Sequence, residues 1–249
     1  MKDKISVIVP LFNYKQYIEE NINSIITQSY DNWEIIIVDD ASTDDPYPVI
    51  EPYLSDKVKY IKLDVNVGYG SAKNVGIRNS NGSFIVILDA DDMLCENSLR
   101  VRLKHLNMKV KYNWIHAECL EFVDNKPYVF KYIDRKSNQK FRTMQKKGDF
   151  SQVWQCIHAQ TVMVKRKVYE KVGLYEPTLR SMGDKEMWAR ICHNVGAPEY
   201  LKQDVALYRQ HDKQMHRSKE KLDNLETIRE HMEILVERRK NSLNGVEKL

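Results

Sequence analysis

The stretch Phe84-Ile85-Val86-Ile87-Leu88-Asp89-Ala90-Asp91-Asp92-Met93 decides the fold, because five apolar residues run without a break into a cluster of three carboxylates. A continuous apolar run rich in β-branched residues is typical of a strand buried on both faces. An ionised carboxylate is costly in an apolar interior, so we expect the acids where the strand leaves the sheet. In an open α/β sheet that place is the carboxyl edge, where ligands bind.

The three carboxylates of this stretch favour a metal site. Asp89, Asp91 and Asp92 would repel one another, and a divalent cation would relieve the repulsion; hard oxygen ligands suit Mg²⁺ or Mn²⁺. The spacing of Asp89 and Asp91 predicts that both side chains lie on one side of an extended segment. An acidic surface turn without a ligand is the alternative for this motif taken alone.

The N-terminal part of the chain has the pattern of a βαβ unit. Apolar runs predict buried strands over residues 5–10 and 35–38. Between them, residues 16–27 carry apolar side chains at helical spacing, and Asn13 is the expected N-cap of that helix. The crossover between the two strands should be right-handed.

The second strand also ends on acids, Asp39 and Asp40. A third strand is predicted over residues 58–63, followed by a loop over residues 66–74 with two glycines that let a ligand approach the main chain. A helix is predicted over residues 71–79. Because this loop lacks the GxGxxG pattern and follows the third strand, an ordinary dinucleotide fold is not expected.

The second half of the chain has shorter patterns. They predict a helix over residues 99–106, an antiparallel hairpin over 113–123 and 126–133, a strand over 159–164, a helix over 166–172, a helix from Gly183 with Asp184 at its start, and a last strand over 205–209 followed by His211.

The overall composition bounds the class of protein. A chain of 249 residues suffices for one large domain or for one domain with an appendage. The four cysteines are widely spaced and form no CxxC pair, which argues against a zinc site and a disulfide framework. No apolar stretch approaches membrane-spanning length and the first residues lack a signal-peptide core, so we expect a cytoplasmic protein without an integral membrane segment.

Two segments stand out by their charge. Residues 131–147 carry seven basic side chains against one acid, which fits either a solvated loop face or a surface for an anionic acceptor. Residues 218–243 predict a charged helix with apolar side chains at 3-4-3 spacing, which either docks on its own domain or forms a homodimer contact. We therefore expect one domain over residues 1–215 and a helical extension over residues 216–249.

Taken together, the motifs resemble those of the family 2 glycosyltransferases of the GT-A fold, an α/β fold with a mixed, mainly parallel sheet. The match extends from residue 5 to about residue 212, and the region around residues 162–166 and Gly183-Asp184 is similar to the spore-coat polysaccharide branch of the family. The matching segments are residues 6–14, 38–44, 66–68 with Lys73-Asn74, 88–92, 182–184 before Trp188 and Arg190, and 208–211.

The resemblance implies an inverting transferase that moves a sugar from a nucleotide-diphospho-sugar, with UDP as the expected nucleotide, to a hydroxyl of a glycan or polysaccharide. It implies Mn²⁺ or Mg²⁺ as cofactor, a nucleotide-binding half over residues 1–95 and an acceptor-binding half over residues 96–215. Carried over by position, the donor-binding residues are Pro10, Phe12, Asp39, Asp40, Asn66, Gly68, Lys73, Asp89 and Ala90, the metal-binding residues are Asp91, Asp92 and His211, and the general base is Asp184.

Within these assignments, the resemblance implies that Asp40 accepts a hydrogen bond from the base and that Asp89 points toward the ribose. The chain departs from the family at two positions. Many relatives carry arginine in place of Lys73, which leaves the phosphate or base contact open, and many carry Glu-Asp in place of Gly183-Asp184, which leaves one candidate base.

Several alternatives stay open from the residues alone. Asp184 would also serve as a helix cap, and His211 would also fit a surface histidine. Trp154 and His158 would line an acceptor pocket or belong to the core. A sugar nucleotidyltransferase shares the layered plan but usually has a glycine-rich basic loop where this chain has residues 10–13. A GT-A-fold binding module without turnover is the alternative of a different class.

Overall fold

The computed structural model describes residues 3–123, 130–132, 157–179, 183–212 and 214. Its strands are β1 (Ile5–Leu11), β2 (Trp33–Asp39), β3 (Val58–Lys62), β4 (Phe84–Ile87), β5 (Met93–Leu94), β6 (Trp114–Val123), β7 (Phe130–Tyr132), β8 (Met163–Lys165) and β9 (Glu199–Gln210). Its helices are α1 (Lys15–Ile26), α2 (Tyr47–Ile50), α3 (Tyr69–Arg78), α4 (Ser98–Met108), α5 (Arg166–Val172) and α6 (Gly183–Val195), with short 3-10 turns at Glu51–Tyr53 and Ala159–Thr161.

The described strands form one mixed sheet in the order β3-β2-β1-β4-β8-β6-β9-β5, with β7 paired to β6. Strands β1 to β4 pair in parallel, β8 is antiparallel to both β4 and β6, and β6 and β9 are parallel. β5 is antiparallel to β9. The short connection from β4 to β5 therefore crosses from the middle of the sheet to its far end, and it carries the acids.

Helices cover both faces of the sheet. Successive side chains of a strand point to opposite faces, and in β1 Val7 and Val9 pack with α1 and α4, whereas Ile8 packs with α3 and α6. The residues of β1, β2 and β4 are buried throughout, as expected for strands covered on both sides. The predicted α/β fold class is confirmed.

The central elements agree with the sequence-based predictions, and three details differ. The predicted N-cap is wrong, because Asn13 has a left-handed backbone (φ 57°) and its side-chain oxygen accepts from the Thr43 backbone N–H at 2.8 Å. The first N–H of α1, from Lys15, is instead donated to Asp44 Oδ2 at 2.9 Å. The predicted strand over residues 159–164 is a 3-10 turn followed by β8, and the last strand begins at Glu199 rather than at residue 205.

Some predictions fall outside the described residues, namely the C-terminal helix, most of the basic segment and Trp154. Across the helices that the structure does describe, none combines the length and the apolar character needed to traverse a bilayer.

Candidate active site

The three predicted acids lie together in a turn between β4 and β5. The N–H of Asp92 donates to the carbonyl of Asp89 at 3.0 Å, so the predicted extended segment is wrong. The turn nevertheless brings one carboxylate oxygen from each of Asp89, Asp91 and Asp92 within 4.8 Å of the others. Asp91 and Asp92 keep only 7% and 1% of their surface exposed, and Ala90 between the acids is buried as well. We call residues 89–92 the acid turn.

Two residues that the sequence analysis did not select hold the acid turn in place. Asn21 of α1 donates from its side-chain amide to the carbonyls of both Asp89 and Asp92 at 2.8 Å. Arg209 of β9 donates from its backbone N–H to Asp92 Oδ1 at 2.9 Å and from Nε to the carbonyl of Asp91 at 2.8 Å. Asn21 has a visible sequence signal, because it is the polar residue on the otherwise apolar face of α1. Arg209 lies inside a matched motif without an assigned role.

The electrostatics of the acid turn favour a bound cation. Burial raises the pKa of Asp89 to about 7, opposed by the charge of Lys73 and assisted by the charges of Asp91 and Asp184. Burial, followed by the charges of Asp91 and Asp89, raises the pKa of Asp92 well above its usual range. Asp92 Oδ2 is buried and has no hydrogen-bond partner among the described residues. A buried charged oxygen of this kind is costly unless a cation or a proton meets it.

His211, just beyond β9, lies beside the acid turn, and its role as a metal ligand stays a prediction. Its Nε2 lies 3.0 Å from Asp91 Oδ2, and its ring packs at centroid distances of 4.9 Å from Tyr17 and 5.5 Å from Tyr14. Its Nδ1 is buried without a hydrogen-bond partner in the described part of the chain. Carboxylates with one imidazole form a donor set that fits Mn²⁺ or Mg²⁺, so Asp91, Asp92 and His211 would hold the ion.

The predicted donor side lies at the ends of β1 and β2. Asp40 accepts the backbone N–H of Val67 on Oδ1 at 2.7 Å and that of Gly68 on Oδ2 at 2.9 Å, while Asn66 donates to the Asp40 carbonyl at 3.2 Å. Gly68 has a positive φ of 89°, which favours glycine. Asp40 thus fixes the loop that leads into α3, and a contact from Asp40 to a base stays a prediction.

Asp39 is fully buried and bonded within the protein. Its Oδ2 accepts from the Tyr60 hydroxyl at 2.6 Å and its Oδ1 from the Ser42 backbone N–H at 2.8 Å. Pro10 lies beside Val38 in the paired strands, and Phe12 is 42% exposed at the end of β1. The exposed ring of Phe12 suits contact with a planar ligand.

Asp184, the predicted base, lies in the first turn of α6 and contacts helix α3. Its Oδ1 is 2.6 Å from Lys73 Nζ, and Lys73 is fully buried. Tyr69, one turn before Lys73, donates its hydroxyl to Asp89 Oδ1. The structure therefore brings Asp184 close enough to the acid turn for its charge to raise the pKa of Asp89. Burial lowers the pKa of His158, the other predicted acceptor-side residue in the described part.

The model of the family described as Glycosyl transferase family 2 matches residues 6–173 of the chain. An uncharacterised glycosyltransferase of Rickettsia prowazekii is 31% identical over 188 residues, which are 74% of this chain and 57% of the relative. The glycosyltransferase GlyG of Streptococcus pneumoniae is 34% identical over 111 residues, 44% of this chain and 37% of the relative. The matched part of the chain thus covers 57% of the first relative and 37% of the second, less than two thirds of either.

Solved structures with the same fold include Staphylococcus aureus TarS 1–349 in complex with UDP, at a TM-score of 0.71 and 17% identity, covering 94% of this chain and 65% of TarS 1–349. The complex of TarS 1–349 with UDP-GlcNAc has a TM-score of 0.70 at 19% identity, covering 86% of this chain and 61% of the other. The mannosyltransferase PcManGT from Pyrobaculum calidifontis, in complex with GDP-Man and Mn²⁺, has a TM-score of 0.64 at 19% identity, covering 87% of this chain and 59% of the other. At these identities the likeness shows the fold.

Proposed function

The chain belongs to glycosyl transferase family 2, and on that premise we propose that it transfers a sugar from a nucleotide-diphospho-sugar, UDP-linked, to a hydroxyl of a glycan or polysaccharide, with inversion at the sugar carbon and with Mn²⁺ or Mg²⁺ as cofactor. One observation carries the proposal. A cluster of three carboxylates, with one buried oxygen that has no partner among the described residues, lies at the carboxyl edge of the sheet. His211 contacts this cluster, and a fourth carboxylate, Asp184, is near enough for its charge to act on Asp89.

The donor assignment is supported by the structural neighbours. TarS is described in complex with UDP and with UDP-GlcNAc, and PcManGT with GDP-Man and Mn²⁺. Because two different bases occur among these neighbours, UDP is the first donor nucleotide to test and GDP the second. In this proposal the nucleotide contacts Pro10, Phe12, Asp40, Asn66, Gly68 and Ala90, and its ribose lies toward Asp89. Asp39, which is buried and bonded to Tyr60 and Ser42, supports this site from within the protein.

The metal site of the proposal consists of Asp91, Asp92 and His211. When bound, the cation supplies Lewis-acid stabilisation of the charge that gathers on the departing diphosphate. The protein's own part is to keep the ligands in place: Asn21 and Arg209 fix the acid turn through its carbonyls, and Arg209 also holds Asp92 Oδ1. The orphaned Asp92 Oδ2 is then matched by positive charge.

Asp184 acts as the general base in this proposal. The acceptor oxygen forms a bond to the sugar carbon as the bond to the phosphate oxygen breaks, and the leaving diphosphate takes the electron pair. The acceptor proton passes to Asp184, which keeps 20% of its side-chain surface exposed. Assistance of this kind is typically worth about 10²–10⁴-fold. Attack on the face opposite the leaving group inverts the sugar carbon, as in inverting glycosidases.

The test combines binding with donor hydrolysis, in which water replaces the acceptor. Calorimetry with UDP and Mn²⁺ measures binding, and mass spectrometry of UDP- and GDP-sugar panels detects the hydrolysed donor. Asp91→Ala should lose hydrolysis, whereas Asp184→Asn should retain UDP binding and lower hydrolysis by about 10²–10⁴-fold. Asp56→Asn, at an exposed acid, is the matched control.

Three outcomes would count against the proposal. Unchanged turnover of Asp184→Asn would remove Asp184 from the base role. Absence of both nucleotide binding and hydrolysis would overturn the transferase assignment. Tight UDP binding without turnover on any donor or acceptor would instead favour a binding module of the same fold.

A further inference from the structure

We propose that Lys73 is a positioning residue of this transferase, which holds the carboxylate of Asp184 at a fixed place relative to the acid turn. The proposal rests on the proposed function, because it concerns the base of that reaction. It also differs from the sequence-based prediction, which places Lys73 in contact with the donor nucleotide.

The contacts of Lys73 direct its ammonium group toward Asp184. The side chain is fully buried, and Nζ lies 2.6 Å from Asp184 Oδ1. The same nitrogen sits 3.5 Å from the centroid of the Tyr69 ring and 4.5 Å from that of Tyr175. A buried ammonium needs a counter-ion, and aromatic faces on two sides add cation–π attraction while they restrict its rotamers. Lys73 and Asp184 are thus each other's fixed partner.

Helix α3, which carries Lys73, is itself locked against the segment that precedes α6. Asn74 donates to the Tyr175 carbonyl at 2.7 Å and accepts the Tyr175 N–H at 2.8 Å. At Gly70 an added Cβ would lie 3.3 Å from the Glu176 carbonyl oxygen, and at Gly76 it would lie 2.2 Å from Ile8 Cγ2. The helix therefore has little room to move toward either neighbour.

The same helix also holds the donor side of the site. Tyr69 and Lys73 are four residues apart and share one face of α3. Tyr69 donates to Asp89 in the acid turn, and Lys73 binds Asp184. One rigid helix therefore spans from the acid turn to the proposed base. In a displacement reaction a misplacement of about 1 Å can cost about 100-fold in rate. A rigid helix that fixes the distance between the acid turn and Asp184 would therefore protect the rate of transfer.

The charge of Lys73 also acts on both carboxylates. Asp184 is its direct partner, and Asp89 accepts a hydrogen bond from the hydroxyl of Tyr69, whose ring packs on the same ammonium. Removing the ammonium would leave the Asp184 carboxylate without its counter-ion. Asp184 would then be expected to turn away from the acid turn, and the reaction would lose its aligned base.

The experiment is a double-mutant cycle on donor hydrolysis with Lys73→Met, Asp184→Asn and the double variant. The donor is the UDP- or GDP-sugar that the wild type hydrolyses, and binding is measured by calorimetry with UDP and Mn²⁺. Lys57→Met is the matched control, because Lys57 also packs on an aromatic ring, Trp33, at 4.9 Å and bonds a carbonyl, that of Asp31, outside the proposed site. Thermal unfolding of each variant reports whether it folds.

If Lys73 positions the base, Lys73→Met should lower kcat by roughly 10- to 100-fold, which is part of the base's own contribution. The dissociation constant of UDP should change by less than about threefold, because in this proposal Lys73 does not contact the nucleotide. In the Asp184→Asn background the Met substitution should lower kcat by less than about twofold, because residues that act as a unit are non-additive. Lys73→Arg should recover kcat to within about tenfold of the wild type by restoring the charge.

Contrary results would separate the possible failures. A more than tenfold loss of UDP affinity in Lys73→Met, or a loss of kcat that adds fully to that of Asp184→Asn, would overturn the positioning role and favour a direct contact with the nucleotide. If Lys73→Met does not fold, Lys73→Gln in the same cycle decides between these results. A wild type that hydrolyses no donor overturns the proposed function and this inference together.

Discussion

Two buried carboxylate sites lie at opposite edges of the same sheet, and their surroundings differ. At the amino edge, Glu34 of β2 is fully buried and accepts from Lys4 Nζ at 2.7 Å, from the Ser6 hydroxyl at 2.7 Å and from the backbone N–H groups of Asn81 and Gly82. Burial raises the pKa of Glu34, but these donors outweigh it and lower the pKa below the usual value. Here the protein itself satisfies the charge.

At the carboxyl edge, the acid turn lacks that supply of donors. Asp92 receives one hydrogen bond from the Arg209 backbone on Oδ1, its Oδ2 has no partner among the described residues, and its pKa is raised by burial and by neighbouring acids. Burial of an acid therefore does not by itself indicate a functional site. The number of donors around it does, because an unmet buried charge persists only where a ligand meets it.

The largest effect that separates the two edges should be on turnover. Asp91→Asn removes a negatively charged ligand from the metal site, and since Lewis-acid stabilisation is worth several kcal/mol we expect hydrolysis to fall by roughly 10³-fold. Glu34→Gln should leave hydrolysis within about twofold of the wild type, because Glu34 touches no predicted site residue. Steady-state kinetics below the unfolding temperature measures both. Equal losses of hydrolysis in the two variants would contradict the functional difference between the two carboxylate sites.

For stability we expect the opposite order, with a larger loss of unfolding free energy at the amino edge than at the acid turn. Glu34→Gln removes the charge that four donors share and turns an acceptor oxygen into an N–H₂ group facing them, so we expect a loss of about 2–4 kcal/mol in the free energy of unfolding. Asp91→Asn should cost less than about 1 kcal/mol without metal, because it removes repulsion in the acid turn. Urea unfolding measures both values, provided that the slope of the unfolding free energy against urea concentration is the same in the wild type and the variants. A Glu34→Gln variant as stable as the wild type would contradict the account of the amino edge.

Divalent cation should stabilise the protein in a pH-dependent way. At about 100 times its dissociation constant, Mn²⁺ should add about 2.7 kcal/mol to the free energy of unfolding. The folded-state pKa of Asp89 is raised to about 7, so without metal the folded protein holds a proton that the unfolded chain gives up near pH 4, and stability falls as pH rises through this window. The charge of Mn²⁺ at Asp91, Asp92 and His211 would favour the ionised form of neighbouring Asp89, so binding competes with its protonation and the stabilising shift should be larger at pH 7.5 than at pH 5.5.

Thermal melts with Mn²⁺ and with EDTA at the two pH values test this expectation. Glu34→Gln serves as the control, since it should keep the whole Mn²⁺ shift although it melts at a lower temperature. Asp91→Asn should lose most of the shift. A Mn²⁺ shift that is equal at both pH values, or that survives in Asp91→Asn, would place the cation elsewhere.

The sequence predicts the acid turn better than it predicts the contacts that hold it. The apolar run of β4 ending at Asp89 is a local signal, and so is the placement of Asp184 at the start of α6; both are confirmed as positions in the fold. Arg209 contacts acids 117 and 118 residues earlier in the chain, and periodicity reports which face a residue occupies, not which distant residue it meets. The same limit applies to the pairing of Lys73 with Asp184.

The errors in the local predictions have equally specific causes. Asn13 is a residue type that caps helices, but its left-handed backbone differs from the extended conformation that an N-cap needs, and Thr43 takes its side-chain oxygen. The pattern does not predict the first half of β9, because residues 199–204 are mainly polar and none of them is fully buried, so no apolar run marks them. Spacing alone could not show that residues 89–92 turn rather than extend.

The smallest effect tests the comparison most directly, because it has the opposite sign at the two edges. Asp92→Asn keeps an oxygen for the Arg209 N–H and removes one charge from a buried group of three acids, so we expect the metal-free protein to gain about 1 kcal/mol in the free energy of unfolding. The same variant should lose the Mn²⁺ shift and most of its turnover. Urea unfolding in EDTA, with Glu34→Gln measured alongside, gives the two signs. A loss of stability in Asp92→Asn comparable to that of Glu34→Gln would mean that the protein satisfies Asp92 as it satisfies Glu34, and the acid turn would then need no cation to explain it.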